Sequence, residues 1–396
     1  MLMDEGTPVG ERIAYWRRRR GLTQEVLAGR AGCSTSWVSK LERGERVVER
    51  IADLLALARV LKVEPGELIG GFELPPNGGA PLDPPRGIIA VRRAVLVDPF
   101  DHEPPGAEQL RADVEHAGLL VARGSLKARA VVLPDLLTAG RAAAAAEVPG
   151  AWWCLARVYQ MASGLARVVG EVELAWITAD RAVAAAQRSG DALMVAHARR
   201  RLAFALMREG WLDEAGAVCS DAADAIAPTD ASPLEVWSLW GSMQLTGAVS
   251  AVRGGDGAGA WRLLRDARAA AERVGPGRND YWEAFGPANV GAHEVAVALE
   301  SGDAVEALRL ADNVEIGDLP MVPRRAEVCI DVAHAHVLRR DDGAAVAVLS
   351  EAERHSAETV RYSVLARELV RVCLGRERKS RTPGLRGLAE RLGVAD

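Results

Sequence analysis

The sequence predicts an all-α protein, with five short helices at the N-terminus followed by a long α-solenoid of helix pairs. Three observations carry this. Strong helix formers (Ala, Leu and Arg) dominate long stretches, while Tyr and Phe number only four each in 396 residues. Apolar residues recur at helical spacing through the first seventy positions. Beyond residue 107 a weak internal period recurs, with intervals of 40, 45, 47 and 38 residues.

The N-terminal elements can be placed in order. Thr7-Pro8 suits an N-cap with a first-turn proline, and Val9, Ile13 and Trp16 then share one face until Gly21 ends the helix. Thr23 caps a second helix that buries Leu27, Ala28 and Ala31 and stops at Gly32. Ser34 caps a third, Ser34–Glu42, with Val38 and Leu41 inward and Gly44 beyond its end. Ile51, Leu54, Leu55, Ala58 and Leu61 mark a fourth, and residues 64–69 a short fifth, closing a domain over 7–70. Residues 71–106 are rich in Pro and Gly and read as a semi-extended linker with one helix at 87–97.

The remaining segment, 107–396, reads as helix after helix. Gly-x-x-x-x-Ala recurs at the turn between paired helices as Gly170…Ala175, Gly210…Ala215, Gly255…Ala260 and Gly302…Ala307. A fifth copy, Arg340…Ala345, lacks the glycine. Ala182, Ala222 and Ala267 recur further along the second helix of each pair, where close packing needs small side chains. Such units cannot bury their faces alone and must stack. Eight tryptophans from Trp152 to Trp282 read as packing between helices.

Charge is unevenly distributed. Net charge is −5, yet residues 11–50 hold ten basic and five acidic side chains, a local +5 that leaves −10 elsewhere. A basic patch on an acidic body suits a polyanion bound at one end. Cys33, Cys154, Cys219, Cys329 and Cys373 form no C-x-x-C pair, so reduced, mostly buried thiols are expected, with no metal and no cofactor. No stretch approaches the ~18 apolar residues of a membrane span, and the start Met1-Leu-Met-Asp-Glu-Gly has no secretion-signal character. A cytoplasmic protein is the expectation. None of the four lysines follows a glycine, and neither H-E-x-x-H nor G-x-S-x-G occurs, so an enzyme is not expected. Gly255-Asp-Gly-Ala-Gly259 follows no strand and reads as a repeat turn.

Two helices joined by a short turn can set the second into a DNA major groove about 12 Å wide, with its first residues against base edges. Here that helix starts at Ser34, exposes Thr35, Ser36 and, one turn on, Lys40, and has basic neighbours in Arg17–Arg20, Arg43 and Arg46. The stretch Gly21-Leu-Thr-Gln-Glu-Val-Leu-Ala-Gly-Arg-Ala-Gly-Cys-Ser-Thr-Ser-Trp-Val-Ser-Lys-Leu-Glu-Arg-Gly44 resembles the phage-repressor (XRE/Cro) helix-turn-helix family in length and at nearly every pattern position. The resemblance implies that Gln24 contacts phosphate and a nearby base, that Thr35, Ser36 and Lys40 read bases, and that Arg43 contacts phosphate. It also implies an internal ion pair between Arg17 and Glu42. Departures occur at Val26, where a capping-box Glu is usual, at Gly29 in mid-helix, and at Val47-Val48-Glu-Arg after Gly44.

The repeats resemble the tetratricopeptide-type C-terminal domains fused to such readers in actinobacterial regulators, through segments such as Glu173-Leu-Ala-Trp-Ile-Thr-Ala-Asp-Arg-Ala and Phe285-Gly-Pro-Ala-Asn-Val-Gly-Ala-His293. In layout they are also similar to peptide-pheromone-sensing regulators. The resemblance implies a regulator that binds double-stranded DNA as a homodimer on an inverted repeat and senses a peptide, small molecule or partner protein. On an inner face, Gln160, His197, Gln244, Asn289 and His293 are the candidate ligand contacts, Asn289 and His293 sharing one face at i,i+4. The alternative is an interaction scaffold with a vestigial reader.

Overall fold

A computed structural model of the protein describes residues 9–44, 46, 48, 51–61, 63, 68, 87–97, 102–377 and 382–394, with only the backbone at 51, 52, 54 and 55. These residues contain twenty α-helices, two short 3-10 turns and no strand. The chain divides into two compact units, the first comprising Met1–Gly79 with Glu300–Asp303 and the second the remainder.

The first unit contains α1 (Val9–Arg19), α2 (Gln24–Ala31), α3 (Thr35–Glu42) and α4 (Ile51–Leu61). Its boundaries follow local chemistry. The Thr23 hydroxyl accepts from the Val26 N–H at 3.1 Å and the Ser34 hydroxyl from the Trp37 N–H at 3.2 Å, each satisfying a donor that a helix start leaves unpaired. Gly32 closes α2 at φ 72°. Ile13, Leu27, Ala28, Val38, Leu41, Leu57, Ala58, Leu61 and Leu68 form one buried core. The Thr7-Pro8 start, the side chains of Ile51, Leu54 and Leu55 and most of the fifth helix lie outside the described residues.

The second unit begins with α5 (Ile88–Leu96), the helix expected within the linker. It is no free connector, because Ile88, Val91 and Val95 are buried in the same core as Leu133 and Leu137. The helices α6 (Ala107–Ala122) and α7 (Leu126–Ala145) follow. Five helix pairs come next, each joined by the turn that the period marks. They are α8 (Ala151–Val169) with α9 (Val172–Ser189), α10 (Ala192–Arg208) with α11 (Leu212–Ala225), and α12 (Leu234–Arg253) with α13 (Gly257–Val274). Then come α14 (Pro287–Glu300) with α15 (Ala304–Ala311) and α16 (Val322–Leu338) with α17 (Asp342–His355). Finally, α18 (Ala357–Tyr362), α19 (Val364–Gly375) and α20 (Leu385–Leu392) close the array.

The turn glycines adopt the left-handed backbone that L side chains resist, with φ of 84° at Gly170, 77° at Gly210, 92° at Gly255 and 81° at Gly302. The fifth copy keeps the same conformation without the glycine, since Arg340 has φ 60°. Five residues on, Ala215, Ala260, Ala307 and Ala345 are fully buried, as are Ala182, Ala222 and Ala267. The tryptophans mostly pack against these cores, although Trp211 is half exposed against the edge of Trp176, 6.0 Å away. Four of the five free cysteines are buried, and burial raises the Cys219 thiol to about 12. No helix among the described residues is long and apolar enough to cross a membrane.

Candidate nucleic-acid interface and a buried charge cluster

The side chains of Thr35, Ser36, Lys40 and Arg43 are all exposed, while Val38 and Leu41 on the opposite side of α3 are buried. At 100° per residue, Ser36, Lys40 and Arg43 fall within an arc of about 60°, and Thr35 lies about 80° outside it on the flank of the helix. The outer face of α3 is therefore polar and cationic, and its inner face fixes the helix to the core.

That placement is braced by Glu42. Arg17 donates to it twice, Nε to Oε1 at 2.6 Å and Nη2 to Oε2 at 2.9 Å, and Arg17 Nη1 also donates to the Leu22 carbonyl at 2.8 Å. This is the expected tie between α1 and α3. Burial pushes the Glu42 carboxyl up, but hydrogen bonds from Arg17 and Gln24 and the charge of Arg17 outweigh it and hold the group below its ordinary value. Gln24 is half-buried and donates to Glu42 Oε2 at 2.7 Å. Its amide thus belongs first to the brace, whereas the sequence assigned it only to DNA.

The run Arg17–Arg20 divides by role. Arg19 donates to the Tyr15 hydroxyl at 2.7 Å and lies 5.4 Å from the Trp16 ring centre, and Arg20 donates to the Leu61 carbonyl at 2.9 Å. Arg18 is exposed.

In the second unit, the expected ligand contacts are turned inward. Gln160, His197, Asn289 and His293 are buried, and their partners belong to the chain itself. Only Gln244 is half-exposed, lining a 490 Å³ groove between α11 and α12 with Cys219, Met243 and Asp256. The sequence reading did not anticipate the centre of the interior, Glu283, on the segment between α13 and α14. His197 Nε2 lies 2.5 Å from its Oε1, Arg201 Nη2 2.9 Å from the same oxygen, and Arg200 Nη1 donates to its Oε2. His197, Arg200 and Arg201 stand at i, i+3 and i+4 on α10, a spacing that puts all three on one face. That spacing is the signal that could have found the site.

Arg157 extends the cluster. Its Nη1 lies 2.8 Å from His197 Nδ1 and 3.2 Å from Gln160 Oε1, and its guanidinium stacks 4.0 Å from the Trp282 ring centre. Because an arginine can only donate, His197 Nδ1 accepts and Nε2 carries the proton toward Glu283. The ring is therefore neutral. Burial pushes its pKa down to about 3, the attraction of Glu283 being too weak to restore it, and Arg157 and Arg201 lower it further. Burial works to raise Glu283, but Arg200, Arg201 and His197 hold it well below the carboxylate range. Burial likewise lowers Arg157 to about 9. Nearby, Arg324 donates to Asn289 Oδ1 at 2.8 Å and approaches His293 Nδ1 at 3.1 Å.

Residues 8–69 match a protein family described as a helix-turn-helix domain. Over 76 residues the chain is 40% identical to the HTH-type transcriptional regulator y4dJ of Sinorhizobium fredii, a match spanning 19% of this chain and 97% of that protein. Among solved structures it is similar to Bacillus thuringiensis PlcR in complex with the peptide PapR7 and DNA (12% identity, 84% of this chain, 97% of that one, TM-score 0.38). It is also similar to a kinesin light chain with TPR-like repeats from Podospora anserina (18% identity, 52% of this chain, 96% of that one, TM-score 0.35).

Proposed function

Because the chain belongs to the helix-turn-helix transcriptional regulators, we propose that it acts in the cytoplasm on operator DNA, with the opening turn of α3 as its reading edge. Thr35, Ser36 and Lys40 face the base pairs in this reading, the ammonium of Lys40 suiting guanine O6 and N7. Arg43 takes a phosphate, and Gln24 takes a second contact while it braces Glu42. The observation that carries the reading is the exposed arc of Ser36, Lys40 and Arg43 on a helix whose other face is locked into the core and tied down by Arg17.

One reader of this size covers few base pairs. Useful specificity therefore calls for two half-sites about 34 Å apart, that is, a homodimer on an inverted repeat. The domain plan that fits this role is a reader over 7–70, a connector that ends before α5, and a sensor or dimerisation domain that takes in α5 together with the repeats from 107 onward. In that plan the repeats hold a peptide, small molecule or partner protein that changes how the readers are presented. Genome-wide footprinting with and without culture extract tests the proposal. Discrete palindromic footprints, altered by extract, are expected; uniform protection of all DNA would refute it.

A further inference from the structure

We infer that the interior of the second unit contains a binding site for a ligand presenting a carboxylate beside an aromatic ring, and that the segment 279–286 of the chain itself fills that site. The inference rests on the reading of the repeats as a sensor and specifies what the sensor takes.

The segment is packed like a bound peptide. Its carboxylate, Glu283, is bound by three side chains of a single helix face, His197, Arg200 and Arg201. Its neighbour Trp282 is stacked on Arg157, and it lies where a Cβ on Gly118 would fall, 1.8 Å from the indole. Phe285 is buried against Gly241 in the same manner, with a Cβ there only 2.0 Å from the ring. Helices α6 and α12 thus lack side chains where the aromatic rings enter.

Two observations separate this site from an ordinary core. The cationic side is over-supplied: the buried Nε atoms of Arg157 and Arg201 have no hydrogen-bond partner among the described residues. Buried donors are rarely left unpaired, and they cluster here around a carboxylate that cannot serve them all. The occupant is also held in an unfavourable backbone. Tyr281, Trp282 and Ala284, none of them glycine, have φ of 53°, 56° and 53°. Residues held in that region cluster at ligand clamps and switches, where the surroundings impose the conformation. A free ligand with the same two groups and no such constraint could reach the spare donors and displace the segment.

The test uses the full chain with Trp282→Gly and Glu283→Gly, which removes the occupant's two groups. Calorimetry follows the synthetic octapeptide Asn-Asp-Tyr-Trp-Glu-Ala-Phe-Gly, the same peptide with Gln for Glu, and indole-3-acetate. We expect saturable binding of the acidic peptide to the variant, at least about tenfold weaker binding of the Gln peptide, and at least about tenfold weaker binding to wild type, whose site is filled. Binding of indole-3-acetate would point to a small acid, and binding of the peptide alone to a peptide source. A variant with wild-type helix content that binds neither, or binds both peptides equally, overturns the inference. Should the double variant fail to fold, Glu283→Ala takes its place. Saturable thermal stabilisation by acetate over chloride at equal ionic strength supports the site, and its absence overturns it. Gel shifts on the same samples separate the two readings, because peptide binding with unchanged DNA affinity supports the site while refuting its sensory role.

Discussion

Arg17 and Glu42, 25 residues apart in sequence, meet through two parallel charge-assisted hydrogen bonds that pin the end of α3 to α1. Their side chains are 12% and 5% exposed, so removing one leaves the other poorly solvated. Arg17→Met is expected to destabilise the first unit by about 2–3 kcal/mol, read as an earlier thermal transition. The Glu42 carboxyl is held below its ordinary value. Its contribution is therefore complete above the unfolded glutamate value of about 4.3 and disappears as pH falls through the lower folded value. In Glu42→Gln that acid loss should be smaller.

Two glycines of the same unit should respond in opposite directions. A Cβ on Gly10 would lie 1.9 Å from the Leu41 carbonyl oxygen, so Gly10→Ala forces α1 and α3 apart and should cost about 2–3 kcal/mol. Gly29 has open space around it in α2, so Gly29→Ala should stabilise by about 1 kcal/mol. Urea denaturation of both variants measures the difference.

The N-terminal elements were legible because each boundary has a local cause: Thr23 and Ser34 as caps, Gly32 and Gly44 as stops, and apolar residues at helical spacing. The repeat turns were legible for the same reason. The Arg17–Glu42 tie came from the family resemblance, and the role of Gln24 in the brace was not visible because it depends on how close α2 approaches α3. Least legible was Glu283. A lone glutamate between two helices carries no local signal, and its partners lie more than 80 residues away in sequence. The histidines expected on an inner face are buried, and nothing local shows that the chain itself covers them.

Arg340 allows a test of the repeat rule. It adopts φ 60° at the position where the four preceding copies have glycine. An L side chain there costs roughly 1–2 kcal/mol, part of which glycine returns as unfolded-chain entropy. Arg340→Gly should raise the melting temperature, and Gly170→Ala, which imposes the same conformation on a side chain, should lower it.

The buried histidines predict a pH response. His197 is shifted to about 3 and His293 well below its ordinary value, both chiefly by burial. Unfolding would let them take up protons below the ordinary value of about 6.5. Stability is therefore complete above that value and falls as pH drops toward about 3. At pH 5.5, nitrogen-detected NMR should find the rings of His197 and His293 still neutral, and thermal melts should shift downward between pH 7.5 and 5.

The central claim is that α3 presents Lys40 to a base pair and Arg43 to a phosphate. Its most direct measurement is the affinity of wild type, Lys40→Ala and Arg43→Ala for a selected operator and its single-base variants across a salt series. Lys40→Ala should lose about 1–3 kcal/mol of discrimination at one position only, while Arg43→Ala should weaken every sequence alike and flatten the salt slope by about 1. Equal losses for Lys40→Ala on matched and mismatched sites, or wild type with no preference for any duplex at low salt, would contradict the account.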